Sequence, residues 1–253
     1  MIIILTQCFP PKIGGIENLI ENLSIELSKT HEVLVLADQH DQKNDSDYDT
    51  KYDQNISVSR ISGIKFFRKR KKLLELKKLL SSKKISHVIA DSWKSFELTI
   101  DTLKSLSIPS ICLAHGNELI VKNSSKKLRV ISTLNKVTHI VTNSNFTLSL
   151  VKDIGITNQK ITCIYPGAQN TIHLNEEIIS NINGQPVITT LARLEKRKGH
   201  AYILSVIAKL KAEHPNILYI IAGSGIEFEN LKKITLELDI IKNVIFLGDI
   251  NEN

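Results

Sequence analysis

Cysteine, long apolar runs and a complete dinucleotide fingerprint are all missing or scarce in this sequence, and each absence removes a class of protein. The three cysteines, Cys8, Cys112 and Cys163, are odd in number, far apart and make no CxxC pair. Such a set supplies neither a disulfide framework nor a thiolate metal site, so the chain reads as a reduced, cytoplasmic protein without a structural metal. The apolar run at 2–5 is too short for a signal peptide or a membrane span, and no window of about 18 apolar residues occurs elsewhere. No GxGxxG follows any predicted strand, which disfavours a nicotinamide-dependent oxidoreductase.

Positive charge is plentiful but confined. The net charge is +7 over 253 residues, yet the stretch KFFRKRKKLLELKKLLSSKK at 65–84 alone holds ten basic residues and one acid. The rest of residues 1–170 is close to neutral, and residues 171–253 carry nine basic and ten acidic residues. A nucleic-acid binder spreads its basic residues over a longer footprint, so no nucleic-acid partner is expected. Within 65–84, Phe66, Leu73, Leu76 and Leu80 fall near one helical face, with Phe67 and Leu74 alongside. Two readings stand: a core-packed helix with a solvated cationic side, or a surface that meets anionic lipid headgroups on the inner face of the cell membrane.

Short β-branched runs alternate with longer amphipathic stretches. Strands are predicted at 2–6, 33–37, 56–61, 87–90, 110–114, 138–142 and 161–164, with helices at 16–29, 66–82, 93–106, 124–136 and 145–153. Runs such as HVIAD and HIVTN lack alternation, as parallel strands covered on both faces do. The polar stretch 38–55, including DSDYD at 45–49, is read as a solvated loop rather than a DxD metal motif. The Asn-rich segment AQNTIHLNEEIISNING at 168–184 breaks the rhythm and marks an interdomain connection. The pattern restarts with strands at 187–192, 217–222 and 243–248 and helices at 199–213 and 226–238. The expected fold class is therefore α/β with two Rossmann-like domains: an N-terminal domain at 1–170, a linker at 171–185, and a C-terminal domain at 186–253. Three strands make a thin domain, so the second is expected to be partial.

Three strand-to-helix turns carry glycine or basic residues. In FPPKIGGIE (9–17), Pro10 and Pro11 are expected to hold the loop extended. Gly14 and Gly15 leave the backbone at a helix N-terminus open to an anion. A simple glycine turn into a helix is the plainer alternative. In LARLEKRKGH (191–200), Arg193, Lys196, Arg197 and Lys198 crowd a helix N-terminus, where cations oppose the dipole unless a polyanion binds or solvent screens them. IAGSGIEFENL (221–231) repeats the strand–glycine–helix arrangement with Gly223 and Gly225. LAHGNEL (113–119) sets His115 just beyond a strand, placed for acid/base work or hydrogen bonding, or simply structural. Trp93 and Asp91 share the IADSWKS turn; they are candidates to line a substrate side, and core packing is the plainer expectation for Trp93.

In their order and spacing these segments, with VTNSNFTLSLVKDIGITNQKITCIYPGA and NVIFLGDI, resemble the GT-B glycosyltransferases, specifically glycosyltransferase family 4, essentially end to end. The resemblance implies two Rossmann-like domains facing a cleft, with the nucleotide sugar held mainly by the C-terminal one. It also implies a retaining transfer without an essential metal or separate cofactor, the GDP- or UDP-sugar donor being a substrate. By the same resemblance Gly14 and Gly15 approach the donor, Arg193 and Lys198 neutralise the departing diphosphate, and His115 points at the transferred sugar. Gly223, Gly225 and the backbone from Gly248 to Ile250 border the nucleoside. The acceptor is expected to be a glycan or a lipid-linked molecule in envelope polysaccharide or glycolipid synthesis. One departure is plain: the family's E-x7-E motif lies beyond Asn253, and Glu229 and Glu237 match its spacing only by accident. The alternative reading is a truncated, non-catalytic chain that binds lipid, acceptor or a partner through 65–84.

Overall fold

The computed structural model describes residues 1–156, 160–167 and 185–250. The chain divides into two compact units, Met1–Gln169 and Asn170–Asn253. The segment 168–184, read above as a connection, lies outside the described residues.

The first unit is built on seven strands: β1 (Ile2–Thr6), β2 (Val33–Asp38), β3 (Ile56–Ile61), β4 (His87–Ala90), β5 (Ser110–Ala114), β6 (His139–Thr142) and β7 (Lys160–Cys163). They pair in the order β3-β2-β1-β4-β5-β6-β7, and every pairing is parallel. The order reverses between β1 and β4, and ligands of open α/β sheets bind beyond the strand ends at such a point. Both faces of the sheet are apolar because successive side chains point to opposite sides. Ile2 and Ile4 join Val33, Val35 and Phe9 beneath α1 (Gly15–Ser28), which contributes Ile20. Ile3 and Leu5 join the other core, fed by α3 (Lys65–Ser82), α4 (Trp93–Phe96), α5 (Ile100–Ser105), α6 (Ser124–Leu134) and α7 (Asn145–Asp153). Trp93 is buried there, as expected of a core residue.

Three details differ from the expectations. The polar stretch at 38–55 contains a helix, α2 (Gln42–Asp49), capped by the Asp41 carboxylate, which accepts from the amides of Lys43 and Asn44. Asp45 of DSDYD is buried, and Asp49 pairs with Arg60, so the motif is a packed helix rather than a solvated loop. The predicted helix at 93–106 is interrupted between Phe96 and Ile100, where the Thr99 hydroxyl donates to the carbonyls of Ser95 and Phe96. Such local side-chain bonding competes with helix continuation. Third, residues 10–11 form a turn with a cis Pro10–Pro11 peptide, not an extended segment.

The second unit has a three-stranded parallel sheet, order β10-β9-β8, from β8 (Val187–Leu191), β9 (Leu218–Ala222) and β10 (Val244–Gly248). A short 3-10 turn (Lys196–Lys198) leads from β8 into α8 (His200–Leu210), and α9 (Phe228–Glu237) follows β9. Leu204 and Ile207 of α8 and Leu231 of α9 pack on Tyr219 and Ile221 of the fully buried β9. Glu229 and Glu237 are both exposed on α9, in keeping with an accidental spacing match.

Candidate functional site

Within the first unit, Gly14, Gly15 and His115 all lie beyond the carboxyl ends of strands, near the reversal point. Asp91, the residue after β4, organises this edge. Its buried carboxylate accepts from the Thr6 hydroxyl at 2.9 Å, the Gln7 amide at 2.7 Å and the Ser95 hydroxyl at 2.6 Å. Its backbone carbonyl accepts from Nε2 of His115 at 2.9 Å. A carbonyl has no proton to give, so Nε2 carries the hydrogen and Nδ1 is left for another partner. The His115 amide in turn donates to the Glu118 carboxylate at 2.7 Å. Asp91 is thus an organising residue for His115 rather than a wall of an acceptor site.

The two glycines at the start of α1 are not equivalent. A Cβ on Gly14 would lie 2.2 Å from Oε2 of Glu17, a carboxylate that is almost wholly buried and 3.5 Å from the Lys12 ammonium. Nothing lies within 4 Å of a Cβ built on Gly15. The open approach is therefore at Gly15, while Gly14 makes room for Glu17. Sequence reasoning missed Glu17, although an acid three residues after a helix cap is a recognisable signal.

The loop before these glycines is clamped from below. Phe9 is buried, the Arg60 guanidinium lies 5.2 Å from its ring, and Arg60 donates to the Pro10 carbonyl at 2.5 Å. Arg60 also grips Asp49 with two bonds, 2.9 and 2.6 Å long. From the opposite side Lys72 of α3, buried, pairs with Asp38 at 2.6 Å and donates to the Thr6 carbonyl. Arg68 shares Asp38, and Lys69 pairs with Glu97, so part of the basic stretch points inward. Lys77, Lys78, Phe67 and Leu74 remain exposed, and Leu76 is the helix's fully buried anchor. Between the proline turn and α2 runs an open groove of about 500 Å³, bordered by Lys12, His40, Asn44 and Tyr48 among others. Cys8, beside this edge, is no nucleophile: burial, with Asp91 and Glu17 adding to it, pushes its thiol up to about 12.

Within the second unit, Arg193, Lys198, Gly223, Gly225, Gly248 and Ile250 gather at the carboxyl ends of the three strands. Their loops are zipped backbone to backbone. The Ala192 amide donates to Ala222, Leu194 to Ser224, Glu227 to Leu194, and Gly223 to Gly248 at 2.6 Å. This explains the glycines. Gly223 has φ +127°, and a Cβ there would stand 2.2 Å from the Ala192 carbonyl oxygen; on Gly225 it would stand 2.5 Å from that of Leu194. Both leave space for the loop that carries Arg193. The Arg193 side chain is 70% exposed and 3.3 Å from Glu195, which also pairs with Arg197 at 2.6 Å. Lys198 is exposed on the turn and makes no ion pair among the described residues. Below them sits His200, buried, its ring nitrogens facing the Arg193 carbonyl and the Tyr219 hydroxyl. The sequence reading gave this histidine no role.

Among the described residues no group of His, Cys, Asp and Glu could hold a metal ion, and no helix is long and apolar enough to cross a membrane. The fold is that of the GT-B glycosyltransferases. The chain superposes on the Anabaena protein HepE in complex with UDP with a TM-score of 0.76 at 16% identity, covering 98% of this chain and 69% of that one. Against sucrose-phosphate synthase from Thermosynechococcus elongatus the TM-score is 0.81 at 13% identity, covering 99% and 71%.

Two family models divide the sequence between them: Glycosyltransferase Family 4 over residues 13–169 and Glycosyl transferases group 1 over residues 174–253. The chain belongs to glycosyltransferase family 4. A curated relative, a GDP-mannose-dependent alpha-(1-6)-phosphatidylinositol monomannoside mannosyltransferase of Mycolicibacterium smegmatis, is 23% identical over 269 residues. That match covers 96% of this chain but 66% of the relative, so the chain spans just under two thirds of its length.

Proposed function

We propose that this protein takes part in retaining transfer of a sugar from a nucleoside-diphosphate sugar to a glycan or lipid-linked acceptor, in assembly of envelope polysaccharide or glycolipid. The observation that carries the reading is the turn at 193–198. Four cations stand at the amino-terminal end of α8; the neighbours of Arg193 are bonded through their backbone to Ala222 and Ser224, and the Lys198 amide donates to the Glu195 carbonyl within the turn. Cations at that end oppose the helix dipole, and a bound diphosphate reverses the penalty. As the sugar leaves, charge accumulates on the diphosphate; fixed cations there stabilise the transition state, and losing one such group commonly costs about 2.7–4 kcal/mol. His115, held by Asp91, serves the transferred sugar, and Gly15 leaves its approach open. Gly223, Gly225 and the backbone from Gly248 to Ile250 border the nucleoside.

The UDP complex of HepE and the GDP-mannose dependence in the mycobacterial relative's name support UDP and GDP as the first probes. In this reading the donor is a substrate and no separate cofactor or metal is needed. The outer face of α3, with Phe67, Leu74, Lys77 and Lys78, meets anionic lipid at the cytoplasmic face of the membrane. Calorimetric titration of UDP and GDP into the parent chain and into Arg193→Ala and Lys198→Ala tests the site. Weaker binding in the variants is expected; unchanged affinity in both overturns the assignment. The anomeric configuration of the product, read by NMR, tests retention, and activity in excess chelator tests metal independence.

A further inference from the structure

Beneath the basic turn lies a polar chain that the donor-binding role of Arg193 leaves unexplained. His200 is the first residue of α8 and 2% exposed. Its Nε2 faces the Arg193 carbonyl oxygen at 3.4 Å, and its Nδ1 faces the Tyr219 hydroxyl at 3.3 Å. That hydroxyl is hydrogen-bonded to Oγ1 of Thr190 at 3.0 Å, and the Tyr219 residue is fully buried on the central strand. The chain therefore runs from β8 through β9 to the carbonyl of the residue whose side chain stands in solvent.

Core positions facing Leu204, Ile207 and Ile221 have no need of an imidazole and a phenol. Burying such groups is unfavourable unless hydrogen bonds compensate, so two adjacent ones with partners imply a requirement for direction. The flanking residues are already fixed, Ala192 by Ala222 and Leu194 by Ser224. The Arg193 carbonyl already accepts from the Glu195 amide at 2.9 Å, and His200 approaches the same oxygen from the core side as a second donor. With Nε2–H aimed at the carbonyl, the peptide plane that follows Arg193, tied on its other edge by the Leu194 amide, is also held from the core side, and the guanidinium leaves the turn in one direction.

We infer that His200 is a positioning residue for Arg193, held in orientation by the Tyr219 hydroxyl and acting on nucleoside diphosphate only through the Arg193 backbone. The inference rests on the reading of Arg193 as a donor-binding cation. It distinguishes His200 from a residue that merely fills the core, because its effect must vanish when Arg193 has no cationic side chain to direct.

The experiment is a double-mutant cycle on the full chain, with UDP and GDP as ligands and thermal melts as a folding control. His200→Leu keeps the bulk and removes both nitrogens; loss of one hydrogen bond of this kind corresponds to about 3- to 10-fold weaker binding. His200→Gln restores an N–H near the position of Nε2 and should bring affinity back to within about 2-fold of the parent. In an Arg193→Ala background neither substitution should alter affinity further. Tyr219→Phe, which spares the ring packing, should give a smaller loss that also disappears in that background, and it serves if His200→Leu does not fold. Equal losses from His200→Leu or Tyr219→Phe with and without Arg193, or no loss at all, overturn the inference while leaving the donor site intact. Unchanged affinity in Arg193→Ala itself overturns the underlying site assignment instead.

Discussion

Replacing Gly223 by alanine should cost the second unit far more than replacing Gly15 costs the first, although both glycines lie where a strand gives way to a helix. Gly223 holds φ +127°, a region that side chains rarely adopt, and forcing alanine into it costs about 1–3 kcal/mol. Its Cβ would also stand 2.2 Å from the carbonyl oxygen of Ala192 and 2.9 Å from the carbonyl carbon, backbone atoms that cannot swing away. Relief requires the β8 and β9 loops to part. That breaks the Ala192-to-Ala222 and Leu194-to-Ser224 bonds, 3.0 and 2.8 Å long, at about 1 kcal/mol each. The combined penalty is about 3–5 kcal/mol, a large fraction of an ordinary domain's stability. Gly15 is the control: nothing lies within 4 Å of its Cβ, and alanine in a helix gains up to about 1 kcal/mol over glycine. Native-state hydrogen exchange reads both, because the Leu194 amide reports the zipper directly. It should exchange at least about 100-fold faster in Gly223→Ala and at the parent rate in Gly15→Ala. A Leu194 amide whose protection is within about threefold of the parent in Gly223→Ala refutes the reasoning, since the loops would then have absorbed a methyl group at no cost. The same Gly15→Ala protein should bind UDP-glucose or GDP-mannose less well, because the open space at Gly15 then has no structural purpose left except a ligand's approach.

Three further outcomes are expected. Arg60→Leu should destabilise the first unit by about 1.5–3 kcal/mol in urea, because the partly buried Asp49 loses its bidentate partner, and adding Asp49→Asn should recover part of that loss. Burial alone would raise the Glu97 carboxyl, but hydrogen bonds and charge from Lys69 and Arg129 outweigh it and hold the group below its usual 4.5. A carboxyl depressed on folding contributes stability above about 4.5 and loses it as the pH falls through the lower folded value, so Glu97→Gln should flatten the acid limb of a stability–pH curve in that window. Reversing Lys77 and Lys78 to glutamate should weaken sedimentation with phosphatidylglycerol vesicles at low salt, about 1 kcal/mol being carried by each cation near such a surface. Equal sedimentation of parent and variant removes the membrane role of α3.

Much of the fold was legible because its central strands, β1, β2, β4 and β9, are buried along nearly their whole length and spell themselves as unbroken apolar runs. The elements that escaped are those held by distant partners. Nothing in QKNDSDYD looks helical by apolar period, since α2 is fastened by polar contacts: Tyr48 donates to Glu21, Asp49 takes Arg60, and Asp41 caps the first turn. Lys72 was read with the other lysines of 65–84, yet it is buried because Asp38 and the Thr6 carbonyl meet it, positions more than thirty residues upstream. At the candidate site the residue types were visible and their reasons were not. Gly223 and Gly225 stood out as glycines beside a nucleoside, but their missing side chains face the backbone of Ala192 and Leu194. A glycine advertises close approach without saying what approaches.

The two units fix their strand-end loops by different means, and the difference bears on what each can do. In the first, side chains do the holding: Asp91 ties Thr6, Gln7, Ser95 and His115, Lys72 takes the Thr6 carbonyl, and Arg60 takes that of Pro10. Such a hub leaves the second histidine ring nitrogen and the open glycine for a ligand, a set suited to hydroxyl groups more than to concentrated negative charge. The buried Glu17 carboxylate at the start of α1 reinforces that preference, because an anion already sits where the helix dipole would draw a phosphate. In the second unit, backbone bonds do the holding, which frees the side chains of Arg193 and Lys198 to project into solvent from a turn that cannot yield. Fixed origins with exposed cationic ends suit a diphosphate, whose charge grows during transfer and is best met by groups already in place. In the proposed transfer, sugar on the first unit and diphosphate on the second is thus the division that the electrostatics of each unit, taken separately, favours.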